Sequence, residues 1–166
     1  MKNVIFLDID GVLNSDDYID SIKHLELKPE NEIDKEKLKL LIPAIKLTES
    51  KVVLTASGRY GKVGKYLISI LSQFGIQTDV TPYIDSERGK EIRAWLNQNK
   101  GIDDFVILDD EIFKSYDCEM LSKLIKISDG NGGSLGKGIL PKDIEEIVKR
   151  LKKQKEIEMY SEYDER

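Results

Sequence analysis

The sequence predicts a parallel, doubly wound α/β fold: a Rossmann-like sheet with helices on both faces and little else. Three observations carry this. Short, continuous apolar runs at residues 4–7, 52–54 and 105–108 each end in a polar or acidic cluster, as strands buried on both faces do. The segments between them have apolar residues at helical spacing, giving the alternation of a βαβ chain. The 166 residues, 40% hydrophobic and 34% charged, suffice for one full core. In such sheets the ligand crevice lies beyond the carboxyl ends of the strands.

The first strand runs into Asp8-Ile9-Asp10-Gly11-Val12-Leu13-Asn14. Two carboxylates one residue apart repel unless a cation or a shared proton relieves them, so the pair implies Mg²⁺ or a raised pKa. Residues 15–32 are polar, with Ile19, Ile22, Leu25 and Leu27 at loosely helical spacing. The segment is too short for a second domain and reads as a small cap-like insertion, in which His24 is a surface or packing residue. Asp34 is a candidate N-cap for a helix carrying Leu38, Leu41, Ile42 and Ile45, which Pro43 should kink.

The second strand, residues 51–54, leads into Thr55-Ala56-Ser57-Gly58-Arg59, and helical spacing resumes through Val63, Leu67, Ile70, Leu71 and Phe74 until Gly75. Hydroxyls and backbone N–H groups between a strand end and a helix start suit a phosphate. Arg59 is placed to clamp that phosphate with its guanidinium fork.

Residues 76–80 read as a third strand. Residues 85–92 open a helix with Ile92, Trp95 and Leu96 on its apolar side, and near its start stand Arg88 and Lys90. A cation there would offset the carboxylates and a phosphoryl group. The fourth strand, 105–108, ends in Asp109-Asp110, while Asp103-Asp104 precede it and read as a solvated turn. Residues 124–127 make a fifth strand. The glycine-rich stretch 129–138 lacks the Gly-Lys-Ser/Thr ending of a P-loop and reads as a mobile connector. Pro141 starts a last helix packed through Ile144, Ile147, Val148 and Leu151. The domain thus spans residues 1–151, followed by a charged tail, 152–166, expected to fray.

Composition narrows the chemistry. A net charge of −5 provides no whole-protein field for nucleic acid, though a local basic surface stays open. Cys118 stands alone, which excludes an internal disulfide and a thiolate metal cluster. With one histidine, zinc sites and histidine triads are poor candidates. Neither a signal peptide nor a membrane span is legible, so a cytoplasmic location is the default.

The run DIDGVLN resembles the first motif of the haloacid dehalogenase-like (HAD) superfamily of phosphatases and phosphotransferases. The resemblance implies that Asp8 is a nucleophile forming an aspartyl-phosphate and that Asp10 serves as general acid, then base. An Asp at the second position points to phosphatases rather than dehalogenating or ion-pumping members. The second motif is Thr55 or Ser57, the latter within a Ser57-Gly58-Arg59 that resembles polynucleotide 3′-phosphatases. The third is Arg88, with Lys90 in reserve, and the fourth is Asp109-Asp110. Mg²⁺ would be held by Asp8, the backbone carbonyl of Asp10 and Asp109, with Asp110 as a further or water-mediated ligand; Gly11, Asn14 and Arg59 would face substrate.

The motifs together, with VVLTASGR, RGKEIRAWL, VILDD and GILPKDIEEIV, are similar to HAD domains in Swiss Army Knife RNA repair proteins. One departure is Gly58, where that group commonly has Trp. The implied activity is a Mg²⁺-dependent phosphomonoesterase acting on a phosphate ester, including a nucleic-acid 3′-phosphate or a nucleotide. The alternatives are a small-metabolite phosphatase and a non-catalytic module that binds Mg²⁺ or phosphate.

Overall fold

A computed structural model describes residues 2–128 and 133–164, with side chains described as far as Lys152. Five strands form one sheet: β1 (Asn3–Leu7), β2 (Ser50–Leu54), β3 (Thr78–Val80), β4 (Asp104–Asp109) and β5 (Leu124–Lys126). The order is β3-β2-β1-β4-β5, with every pair parallel. The expected doubly wound sheet is therefore present. Its strand order reverses at β1, and the crevice at the β1–β4 junction is where such folds bind ligands.

Side chains on alternate positions of each strand serve opposite faces. Ile5, Leu7, Val52, Leu54, Val106 and Leu108 pack with α2 (Lys35–Leu47), α3 (Lys62–Gln73) and α6 (Pro141–Asp164). Val4, Phe6, Val53, Phe105 and Ile107 pack with α4 (Arg88–Gln98) and α5 (Cys118–Lys123). Phe6 meets Trp95 and Phe105 edge to face, centroids 5.5 and 5.6 Å apart, an arrangement that suits the ring quadrupoles. α2 is capped by Asp34, whose carboxylate accepts from the Glu36 N–H at 2.9 Å, and the helix continues through Pro43 on its exposed side.

The insertion after β1 is one short helix, α1 (Asp16–Ser21), and a 3₁₀ turn (Pro29–Asn31). The Tyr18 hydroxyl ties them together by donating to the Asn31 and Ile33 carbonyls at 2.9 and 3.2 Å. His24 is exposed.

Two expectations need correction. Asp104 is not a solvated turn residue: it opens β4, is buried, and pairs with Lys123 at 2.5 Å while accepting from the Phe105 N–H. Burial of a carboxylate requires such partners. Of the glycine-rich stretch, residues 129–132 lie outside the described residues. The remainder is anchored rather than a free connector: the Asp16 carboxylate accepts from the Ser134 hydroxyl and the Leu135 and Gly136 N–H groups at 2.5, 3.0 and 3.1 Å. Ile139 N–H donates to the Val12 carbonyl at 2.9 Å. Gly138 makes this approach possible, since a Cβ there would stand 2.6 Å from the Asn14 carbonyl oxygen at φ +68°.

Candidate active site

The sheet's hydrogen-bond ladder runs on into the polar clusters. Asp8 N–H donates to the Leu108 carbonyl at 3.1 Å and Thr55 N–H to the Leu7 carbonyl at 2.9 Å. These bonds set Asp8, Thr55 and Asp109 at the ends of three adjacent strands. Carboxylate oxygens of Asp8, Asp109 and Asp110 lie within 4.8 Å of one another. Arg88, the first residue of α4, reaches in from the side. Its Nη1 stands 2.5 Å from Asp109 Oδ2, 3.4 Å from Asp8 Oδ1 and 3.4 Å from the Thr55 hydroxyl. The guanidinium lies over the Phe113 ring, 4.7 Å from its centroid.

This cluster is short of positive charge. Burial and the neighbouring Asp109 hold the Asp8 carboxyl well above the usual carboxylate range, with Arg88 opposing them. Burial likewise pushes Asp109 up to about 6 against the pull of Arg88, and raises Asp110. Burial and Asp109 push the Tyr116 hydroxyl upward, and that hydroxyl donates to Asp109 Oδ2 at 3.3 Å. Three converging carboxylates facing one guanidinium make a set of hard oxygen donors left under-neutralised, which fits a divalent cation such as Mg²⁺.

Asp10 is exposed and stands apart from the three. Its Oδ1 accepts from Asn14 Nδ2 at 3.0 Å. Asn14 is buried, accepts from the Gly11 N–H at 2.9 Å and donates to the Glu32 carbonyl at 3.0 Å. All its polar atoms thus face the protein, and the expected substrate contact is instead a brace for Asp10. Gly11 also has a structural task. At φ +75° a Cβ would lie 2.1 Å from Asp110 Oδ2, so only glycine lets that carboxylate close on the first loop.

Arg59 departs furthest from expectation. It is buried, with Nε donating to the Thr81 carbonyl, Nη1 to Ala56 and Thr55, and Nη2 to Pro82. Nη2 also pairs with Glu91 at 3.2 Å. With its fork spent on the protein, it does not clamp a phosphate. Lys90 also lies outside the site, paired with Glu87 in solvent at 2.9 Å. Thr55 is buried beneath the cluster, whereas the exposed Ser57 lines the crevice.

The crevice, about 620 Å³, has Asp8, Asp10, Ser57, Arg88 and Asp110 on its floor. Its far wall is Ile112 and Phe113 after β4, Lys126 at the end of β5, and Leu135. Sequence reading missed this wall, although one signal was present. Lys126 is in register with Asp109, so it leaves the sheet at the same end. Another hollow, about 550 Å³, lies at the amino ends of the strands beside Lys2, Lys46 and Lys100, on the side of the sheet away from this chemistry. No described helix is long and apolar enough to cross a membrane.

No curated protein matches the chain, and no solved structure matches it. Among protein families, residues 4–133 match the HAD domain in Swiss Army Knife RNA repair proteins. The matched stretch holds all four polar clusters from Asp8 to Asp110, and at this level the family supports a HAD-type hydrolase acting on phosphate esters. By that match and by its parallel sheet, the chain belongs to the family of HAD domains found in Swiss Army Knife RNA repair proteins.

Proposed function

We propose that the chain is a Mg²⁺-dependent phosphomonoesterase in which Asp8 is the nucleophile. The observation that carries this is the convergence of Asp8, Arg88, Asp109 and Asp110 on one crevice, with Asp10 braced at its edge by Asn14. A carboxylate oxygen of Asp8 attacks phosphorus, the bond from phosphorus to the ester oxygen breaks, and Asp10 gives its proton to the departing alkoxide. Asp10, now ionised, takes a proton from the water that attacks the phosphoryl-Asp8, releasing inorganic phosphate and restoring both side chains. Arg88 holds Asp8 and Asp109 in place and offsets charge developing on the phosphoryl oxygens. Thr55 supports Arg88, and Ser57 offers a hydroxyl and backbone donors to the phosphate.

Asp8, Asp109, Asp110 and the main-chain carbonyl of Asp10 would hold Mg²⁺, which when bound supplies charge neutralisation and polarises the phosphoryl group. Residues 15–32 form only one short helix and a 3₁₀ turn, so this insertion is too small to serve as a lid over the crevice. This favours esters up to a polymer end, including a nucleic-acid 3′-phosphate. Hydrolysis of p-nitrophenyl phosphate with and without Mg²⁺, in wild type and Asp8→Asn, tests the reading. Metal-dependent turnover lost in Asp8→Asn is expected. Mg²⁺ binding without turnover on any ester would make the chain a binding module instead.

A further inference from the structure

The far wall of the crevice carries features that the phosphoryl chemistry leaves unused. Asp8, Asp10, Asp110 and Glu111 give it four carboxylates, and the cations among its described lining are Arg88 and Lys126. Arg88 is committed to Asp8 and Asp109. Lys126 is exposed and its ammonium donates to a neutral acceptor, the Ser128 carbonyl, at 3.1 Å. A lysine ammonium has three donors, and among the described residues one of them is used, which leaves two for a ligand. In an acidic crevice, a cation with no carboxylate partner among the described residues marks the place where a second negative group on the substrate is tolerated.

The placement of Lys126 defines the distance. β5 is two strands from β1 across β4, so its end lies roughly 10 Å from that of β1. The lysine stem spans part of that gap. An anion held by Lys126 would therefore belong to the same small molecule as the phosphate on Asp8, one linkage further along. Between the two positions the wall is apolar. Ile112 keeps 59% of its surface exposed, and Phe113, its ring held edge-on to Tyr116 at a centroid distance of 5.5 Å, stands beside it. Exposed aliphatic surface beside a half-buried aromatic ring, set between two anion positions, suits a flat, weakly polar group.

We infer that this wall is the leaving-group subsite: Lys126 receives a second anion of the substrate, and Ile112 and Phe113 receive the apolar or planar body that joins it to the scissile phosphate. The inference rests on the phosphatase reading above and assigns its substrate class. The class is phosphomonoesters whose alcohol carries both a ring and a second phosphate, as a nucleoside 3′,5′-bisphosphate or the terminal nucleotide of a 3′-phosphorylated strand does. Glycerol phosphates lack the ring, and the ring of a sugar phosphate is neither flat nor weakly polar.

The test compares KM and kcat for a nucleoside 3′,5′-bisphosphate, the corresponding 3′-monophosphate and glycerol 2-phosphate, in wild type, Lys126→Ala, Lys126→Arg and Ile112→Ser. In wild type the bisphosphate should show a KM about tenfold below that of the monophosphate, the size of one charge-assisted hydrogen bond at an open site. Lys126→Ala should abolish that advantage with kcat unchanged, and Lys126→Arg should restore most of it. Ile112→Ser should raise KM for both nucleotides but not for glycerol 2-phosphate. Equal KM for bisphosphate and monophosphate in wild type overturns the inference. So does a Lys126→Ala that loses both alike. The phosphatase reading has its own control: p-nitrophenyl phosphate turnover by wild type, whose absence would defeat that reading and not merely the subsite.

Discussion

Arg59 and Glu91 form an ion pair inside the protein, 3.2 Å apart, with 3% and 2% of their side-chain surfaces exposed. The pair joins the turn after β2 to α4. Glu91 also accepts from the Ile84 N–H at 3.0 Å and lies one helical turn from Arg88. The carboxylate thus anchors the helix start that carries Arg88.

Removing one partner of a buried pair strands the other charge, at a cost of about 3–5 kcal/mol. Arg59→Met should therefore lower stability in urea denaturation by that order, and the folded fraction should turn over more slowly because Arg88 is less well held. Wild-type stability combined with weakened phosphate binding would return Arg59 to the role of a substrate ligand.

Asp10 and its brace should fail in the same direction. Asp10→Asn should hurt alkyl phosphates far more than p-nitrophenyl phosphate, because an alkoxide needs a proton to depart and a nitrophenolate does not. Asn14→Ala should show the same leaving-group bias in milder form, with a stability loss of about 1–3 kcal/mol from buried groups left unpaired. An Asn14→Ala defect equal on both substrates would detach Asn14 from Asp10.

Metal and pH are coupled through Asp109. Its carboxyl is raised from 3.8 to about 6 in the metal-free fold, so across that interval the folded chain binds more protons than the unfolded one. This group's contribution is fully present below the lower value and is lost as pH rises through the upper one. Metal-free protein should therefore lose thermal stability from this source as pH rises from about 4 to about 7. The stabilisation by Mg²⁺ should grow over the same range as its ligands ionise. Asp109→Ala should flatten both responses; an unchanged Mg²⁺ shift in that variant would place the metal elsewhere.

Gly11→Ala should cost both stability and Mg²⁺ affinity. The new methyl meets the Asp110 carboxylate at a backbone angle that L-residues resist. A variant that binds Mg²⁺ as wild type does would show that Asp110 can move without consequence for the metal.

The elements that place chemistry were legible because their signals are local. An apolar run ending at Asp8, Thr55 or Asp109 announces a buried parallel strand and the end at which its ligand sits, and a helix starting at Arg88 supplies its first-turn side chain to the same end. Partners distant in sequence were not legible. Nothing near Arg59 says that Glu91 will neutralise it, nothing near Asp104 says that Lys123 will, and Asn14 beside DxDG looks as ready for a substrate as for a brace. The choice of Arg88 over Lys90 depends on which side of one helical turn faces the sheet, and the third motif alone left it open. Lys126 and Ile112 were overlooked because a strand end and a loop become a wall only once β4 and β5 stand side by side.

β1 lies at the centre of the sheet, and Asn3 is paired with both Ser50 and Asp104. During synthesis β1 thus waits some hundred positions for its second neighbour, about 5–20 s at ordinary elongation rates. Until β4 arrives, one edge of a strand that is apolar from Val4 to Leu7 is open, and Asp8 has no Asp109 beside it. No fragment of this domain ending before Asp110 can assemble the cluster, so its three carboxylates come together only once β4 is complete. A nascent chain stalled before that point should be sticky and inert, a substrate for chaperones rather than an enzyme.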